Sequence, residues 1–204
     1  MTFNSRLLTL AKRKRQYKSL LPPVLVMTDE KRLPDPVAVA ASIPCSWGLI
    51  FRHYGVNDRD NLAKQTAAVC HRRGIVFLIA GDWRLADRVN ANGVHLPEHM
   101  TTRQPLAPVQ LWRQRGKLVT MSAHGAIRMQ KAQHMAADAV VLSPVEATIS
   151  HPDVKPLGAL RFAALARAIP SPVYALGGIT LAQHKRLQAL GAKGIAGIGF
   201  LKEL

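Results

Sequence analysis

The chain has 204 residues, 48% of them hydrophobic, and carries 28 Lys and Arg against 12 Asp and Glu for a formal charge of +16. That length suits one domain with a full buried core, and no apolar run approaches the ~18–20 residues of a membrane span. Cys45 and Cys70 are too few for a disulfide framework and fit a reducing, cytoplasmic setting, while the basic excess favours anionic partners.

Much of that excess is local. Arg6, Lys12, Arg13, Lys14, Arg15 and Lys18 all precede the first acidic residue, Asp29. Leu7, Leu8, Leu10, Ala11, Leu20 and Leu21 form an apolar stripe among them, which predicts a basic helix over residues 1–22. Three roles stay open for it: a plug against the body of the fold, a contact with an anionic surface or nucleic acid, and a targeting peptide. A secretory signal is not expected, because the charges interrupt its apolar core.

Residues 23–204 read as one further domain. Eight short apolar runs follow in order: Val24–Met27, Gly48–Phe51, Ile75–Ile79, Gly93–Leu96, Leu118–Met121, Ala139–Leu142, Val173–Leu176 and Ile195–Ile198. Several are continuous rather than alternating, as strands buried on both faces are. Helix signals lie between them. Asp58 or Asp60 starts a helix that stops at Gly74, and Asp82 opens a short one through Val89. The Gln104–Gly116 stretch is proline-broken and basic, and only a short helix is expected there. Another helix covers Arg161–Ala168 before Pro170, and Thr180 caps a last one that ends at Gly191. Strand and helix alternate throughout, so the class is α/β with a parallel sheet, and eight strands favour a closed (β/α)8 TIM barrel. The chain stops directly after the eighth strand, which predicts a truncated or missing eighth helix.

The stretch from Val173 to Phe200 points to a ligand. One strand ends in Gly177-Gly178 and the next in Gly197 and Gly199. In a parallel barrel these ends lie side by side, and bare backbone N–H groups there suit a phosphate.

The order of these pieces resembles the thiamine phosphate synthase/TenI family of barrels. The resemblance rests on V-L-V-M-T-D (24–29), I-F-R-H-Y-G (50–55), R-L-A-D-R-V-N-A-N-G-V-H-L (84–96), S-A-H (122–124), A-A-D-A-V-V-L-S-P-V (136–145), L-G-G-I-T (176–180) and G-A-K-G-I-A (191–196). It implies a protein of thiamine biosynthesis that binds a small phosphorylated thiazole-type ligand. The synthase condenses a pyrimidine pyrophosphate with the thiazole phosphate, and magnesium stabilises the departing charge. TenI-type tautomerases need a general acid/base instead, and no metal.

Carried over position by position, the resemblance implies Arg52 and His124 as catalytic residues. It implies Ser122, Thr148, Ser150, His151, Gly177, Gly178, Gly197 and Gly199 as substrate- and phosphate-binding residues. The two magnesium aspartates of the family fall on Gly81 and Met100, and a pyrophosphate lysine falls on Tyr54. A glutamine falls on Ile50, and the lysine of the phosphate loop falls on His151. Asp82 and Glu98 are the weak alternatives for a displaced metal site. Magnesium is expected only if the synthase reaction is retained. Three functions follow: a synthase-like transferase, a metal-free tautomerase, or a non-catalytic barrel binding a phosphorylated ligand or RNA. No membrane contact is expected, while an anionic partner for the N-terminal segment and a homo-oligomer stay open.

Overall fold

A computed structural model describes residues 21–101, 106–148 and 154–203. The expected basic helix therefore lies outside the described residues, apart from Leu21 and Pro22, which are buried and not helical. Eight parallel strands close into a barrel in sequence order: β1 (Val24–Met27), β2 (Gly48–Phe51), β3 (Val76–Ala80), β4 (Gly93–Leu96), β5 (Leu118–Ala123), β6 (Ala139–Leu142), β7 (Val173–Leu176) and β8 (Gly194–Gly197). β8 pairs back onto β1, with Val24 opposite Ile195, Leu25 opposite Ala196 and Val26 opposite Gly197, which leaves no free edge. Five strands have the expected bounds; β3 and β8 are offset by one residue and β5 runs two residues further.

The strands are continuous apolar runs because both faces are covered. Outward residues such as Phe51, Phe77, Val94 and Val140 pack under the helices. Inward residues fill the lumen with Leu25, Ile50, Leu78, Leu118, Val141 and Tyr174, so the barrel is a packed core rather than a pore. At the bottom, Leu21 joins this inner cluster and the Tyr174 hydroxyl donates to the Pro22 carbonyl at 2.6 Å. A tight approach there requires glycine: a Cβ on Gly93 would sit 2.0 Å from the Leu118 carbonyl oxygen.

The helices follow their strands: α1 (Pro36–Ser42), α2 (Arg59–Arg73), α3 (Trp83–Arg88), α4 (Glu98–Thr101), α5 (Leu106–Gln114), α6 (Ala126–His134), α7 (Gly158–Arg167) and α8 (His184–Ala189). α2 ends at Gly74 in the left-handed conformation, φ 68°, as its sequence signals. Asp82 caps α3 by accepting from the Leu85 N–H at 2.9 Å. A single 3-10 turn, Leu181–Gln183, separates Thr180 from α8. Among the described residues, β8 is followed by the 3-10 segment Gly199–Glu203. The sequence reading missed α1, although Asp35-Pro36 is a cap followed by a proline at the first helical position; Asp35 Oδ1 accepts from Val37 and Ala38. It also missed α4 and α6. Among the described residues no helix is long and apolar enough to cross a membrane.

Candidate functional site

The carboxyl ends of all eight strands open on one face, where parallel barrels gather their chemistry. Near the carboxyl end of β4 is His95, 2% exposed. Its Nδ1 is 2.9 Å from the Thr120 hydroxyl and its Nε2 is 2.9 Å from the Ser122 hydroxyl, both on the adjacent β5. Burial pushes the His95 pKa down to about 3, and the nearby Arg52 guanidinium adds to the shift. His95 is therefore neutral and polar inside the barrel, and it engages the hydroxyl of Ser122.

Arg52 follows β2. Its backbone N–H donates to the Thr28 hydroxyl at 2.8 Å, which fixes the strand end. Its guanidinium lies near Tyr54 and His95. Among the described residues no carboxylate forms an ion pair with Arg52. A half-buried cation without a carboxylate partner can hold an anionic ligand group.

His124 follows β5 on the rim and is half exposed. Its Nδ1 lies 2.5 Å from Oε2 of Glu98, the first residue of α4. The other Glu98 oxygen, Oε1, accepts from Arg128 Nε of α6 at 3.2 Å. Adjacent strands in register make this meeting possible, because β4 and β5 pair Leu96 with Met121 just below the two loops.

The side of the mouth after β3 and β4 has a different character. A Cβ on Gly81 would lie 3.1 Å from the Met100 sulfur and 3.6 Å from a ring carbon of Tyr54. Three positions of the implied magnesium and pyrophosphate site thus converge, but as glycine, thioether and phenol. The neighbouring Asp82 is engaged elsewhere. It caps α3 and pairs with Arg59 at 2.9 Å. Arg59 also donates to the His53 carbonyl at 2.6 Å and the Ala80 carbonyl at 3.0 Å, clamping the ends of β2 and β3. Glu98 is held by His124 and Arg128. Among the described residues, no three His, Cys, Asp or Glu side chains come together to hold a metal ion. Magnesium needs several well-placed oxygens. The residues at the implied positions do not fit it.

The glycine ends of β7 and β8 do lie side by side, with Leu176 paired to Ala196. Gly177 and Gly178 have φ of +97° and +68°, which ordinary side chains rarely adopt. The loop after β6 folds onto them: the Val145 and Glu146 N–H groups donate to the Leu176 and Gly177 carbonyls at 2.9 and 3.0 Å. A Cβ on Gly178 would meet the Ala147 carbonyl oxygen at 2.3 Å. Thr148 is the next residue of that loop, while Ser150 and His151 lie outside the described residues. Gly197 ends β8 beneath the Phe200 ring, and Gly199 has open space on its side-chain face. The turn after β7 already holds an anion of the chain itself, since the Leu181 N–H donates to Glu203 Oε2 at 2.8 Å. The anticipated helix N-terminus at Thr180 is therefore shared with a carboxylate.

Sequence reasoning missed the Glu98–His124 contact and the Arg59 clamp. Neither has a local signal, because the partners are 26 and 23 residues apart. The pairing of His95 with two hydroxyls on β5 was likewise not foreseen. The alternation of Thr120 and Ser122 on one face of β5 carried that signal.

Comparison with known proteins narrows this description. A family model described as thiamine monophosphate synthase matches residues 28–201. A putative thiamine-phosphate synthase 2 of Aquifex aeolicus is 36% identical over 155 residues, covering 74% of this chain and 81% of that protein. A thiamine-phosphate synthase of Prochlorococcus marinus is 30% identical over 154 residues; the match covers 73% of this chain but only 42% of that longer protein. Among solved structures, thiamine phosphate pyrophosphorylase from Pyrococcus furiosus superposes with a TM-score of 0.70 at 18% identity, over 89% of this chain and 87% of that one. That last likeness speaks for the fold alone. The match over most of the barrel carries the assignment: the chain belongs to the thiamine monophosphate synthase family.

Proposed function

We propose that this barrel belongs to thiamine biosynthesis, binds a small phosphorylated thiazole-type ligand, and transfers a proton on it without a metal. The observation that carries the reading is that the implied magnesium positions hold Gly81 and Met100, packed so that a Cβ on Gly81 would lie 3.1 Å from the Met100 sulfur, while the implied catalytic positions hold Arg52 and His124. Removing one preorganised electrostatic group costs roughly 3–4 kcal/mol of barrier, so replacing two metal carboxylates at once argues against robust pyrophosphate displacement. Proton transfer needs less. Arg52 holds the ligand carboxylate, and the glycine ends of β7 and β8 take the phosphate with Ser122 and Thr148. His124 takes a proton from a carbon of the ligand and returns it at another position, so no atom is gained or lost.

The test measures solvent deuterium entering a thiazole phosphate carboxylate, with and without a chelator. Exchange that survives chelation and is abolished in His124→Asn, with ligand binding intact by calorimetry, supports the reading. Unchanged turnover in His124→Asn refutes it.

A second reading is a synthase of lowered turnover, favoured by the printed names of the relatives, which are thiamine-phosphate synthases. Thiamine phosphate formed from both phosphorylated precursors with magnesium supports it. No product at high enzyme concentration sinks it.

A further inference from the structure

The geometry points to Glu98 as the residue that sets the working tautomer of His124, and we propose it as a positioning residue. This rests on reading His124 as the proton carrier. An ionised carboxylate only accepts hydrogen bonds, so the short contact between Glu98 Oε2 and His124 Nδ1 places the ring hydrogen on Nδ1. Nε2 is then the nitrogen with the lone pair, and among the described residues it has no hydrogen-bond partner. Glu98 cannot swing away freely, because Arg128 holds Oε1 at 3.2 Å and so fixes the carboxylate plane. The arrangement is built from three pieces of the barrel: the first residue of α4, the residue just past β5, and α6. A carboxylate behind the distal nitrogen is how an imidazole is commonly oriented for proton transfer or ligation.

Glu98 also explains why a carboxylate stands on this side of the mouth when the metal positions have become Gly81 and Met100. Its two oxygens are engaged by a histidine and an arginine, which leaves its charge balanced within the rim. The same engagement makes it unsuited to a cation. Its function is carried by where it puts a hydrogen.

The experiment reads the tautomer directly. Long-range nitrogen–proton NMR spectra of the full chain, with His124 assigned by its disappearance in His124→Asn, report which ring nitrogen carries hydrogen at mildly alkaline pH. The wild-type ring is expected almost wholly as the Nδ1–H form. In Glu98→Ala the Nε2–H form should become the major one, as in a solvated histidine side chain. Glu98→Asp, with its shorter reach, should give a mixture, and circular dichroism checks that each variant is folded. In the proton-exchange assay, Glu98→Ala should lower kcat by ~10-fold or more with little change in KM. A wild-type ring with hydrogen on Nε2 or on both nitrogens, or an unchanged tautomer in Glu98→Ala, overturns the proposal. A tautomer that switches as expected while His124→Asn retains full turnover leaves Glu98 as the positioning group and overturns the acid/base reading of His124 instead.

Discussion

A Cβ built on Gly81 would stand 3.1 Å from the sulfur of Met100, so the residue after β3 and a residue of α4 face each other across the mouth. They occupy the two positions where the family resemblance implies magnesium aspartates. Restoring both carboxylates is therefore a defined experiment. Gly81 sits at φ +72°, where a non-glycine residue costs about 1–2 kcal/mol, although aspartate tolerates it better than most. Gly81→Asp/Met100→Asp should have a lower Tm than the wild type in chelator and regain part of it in millimolar magnesium. The wild type should show no magnesium response. Differential scanning calorimetry with and without the ion checks both arms.

Asp82 is expected to matter for stability and not for metal affinity. Its carboxylate caps α3 and pairs with Arg59, a clamp on the ends of two strands. Asp82→Ala removes the cap, worth ~1 kcal/mol, and leaves a half-buried guanidinium short of a partner. A total loss of about 1–3 kcal/mol in urea unfolding is expected. Asp82→Asn keeps an acceptor for the Leu85 N–H and should lose less. A loss of magnesium binding in Asp82→Ala, with stability unchanged, would contradict this assignment.

His95 gives the fold an acid-sensitive core. Burial holds its folded pKa near about 3, below the ordinary 6.5 that applies when the chain is unfolded. Between these values the unfolded chain binds a proton that the folded one does not. Its contribution is thus fully present above pH 6.5 and is lost as pH falls toward about 3. The slope for one proton is ~1.4 kcal/mol per pH unit. Unfolding free energies measured across this window should fall less steeply in His95→Asn than in the wild type. Parallel slopes in the two proteins would show that His95 is not the group responsible.

Gly178 and Gly199 separate a folding role from a ligand role. At Gly178 an added Cβ meets the Ala147 carbonyl oxygen at 2.3 Å in a left-handed backbone. Gly178→Ala should therefore destabilise the protein by about 2–4 kcal/mol, from strain and overpacking together. At Gly199 nothing lies within 4 Å of the added carbon. Gly199→Ala should change stability by no more than ~0.5 kcal/mol. Its effect should appear in ligand binding, as a calorimetric affinity for inorganic phosphate or thiazole phosphate lowered several-fold by a methyl group in the path of the anion. Equal affinities for the wild type and Gly199→Ala would remove Gly199 from the phosphate cradle.

The barrel was legible from local chemistry. Continuous apolar runs such as Val24–Met27 and Val173–Leu176 have to be buried on both faces, and the helices between them carry their own start and stop signals at Asp58, Gly74 and Asp82. The pairing of the Gly177-Gly178 end with the Gly197 end followed from strand order alone. Tertiary structure decided what each charged side chain does. Asp82 is a candidate metal ligand by sequence, but Arg59, the first residue of α2, sits on its carboxylate. Glu98 is the other such candidate by sequence, but barrel closure brings His124 and Arg128 onto its two oxygens. Hydrogen bonds and ion pairs are set by distance in space, and residues after different strands acquire neighbours only when the sheet closes. A residue's type and place on its own strand are local properties, so the sequence could specify the barrel and its mouth while the assignment of partners within that mouth had to wait for the fold.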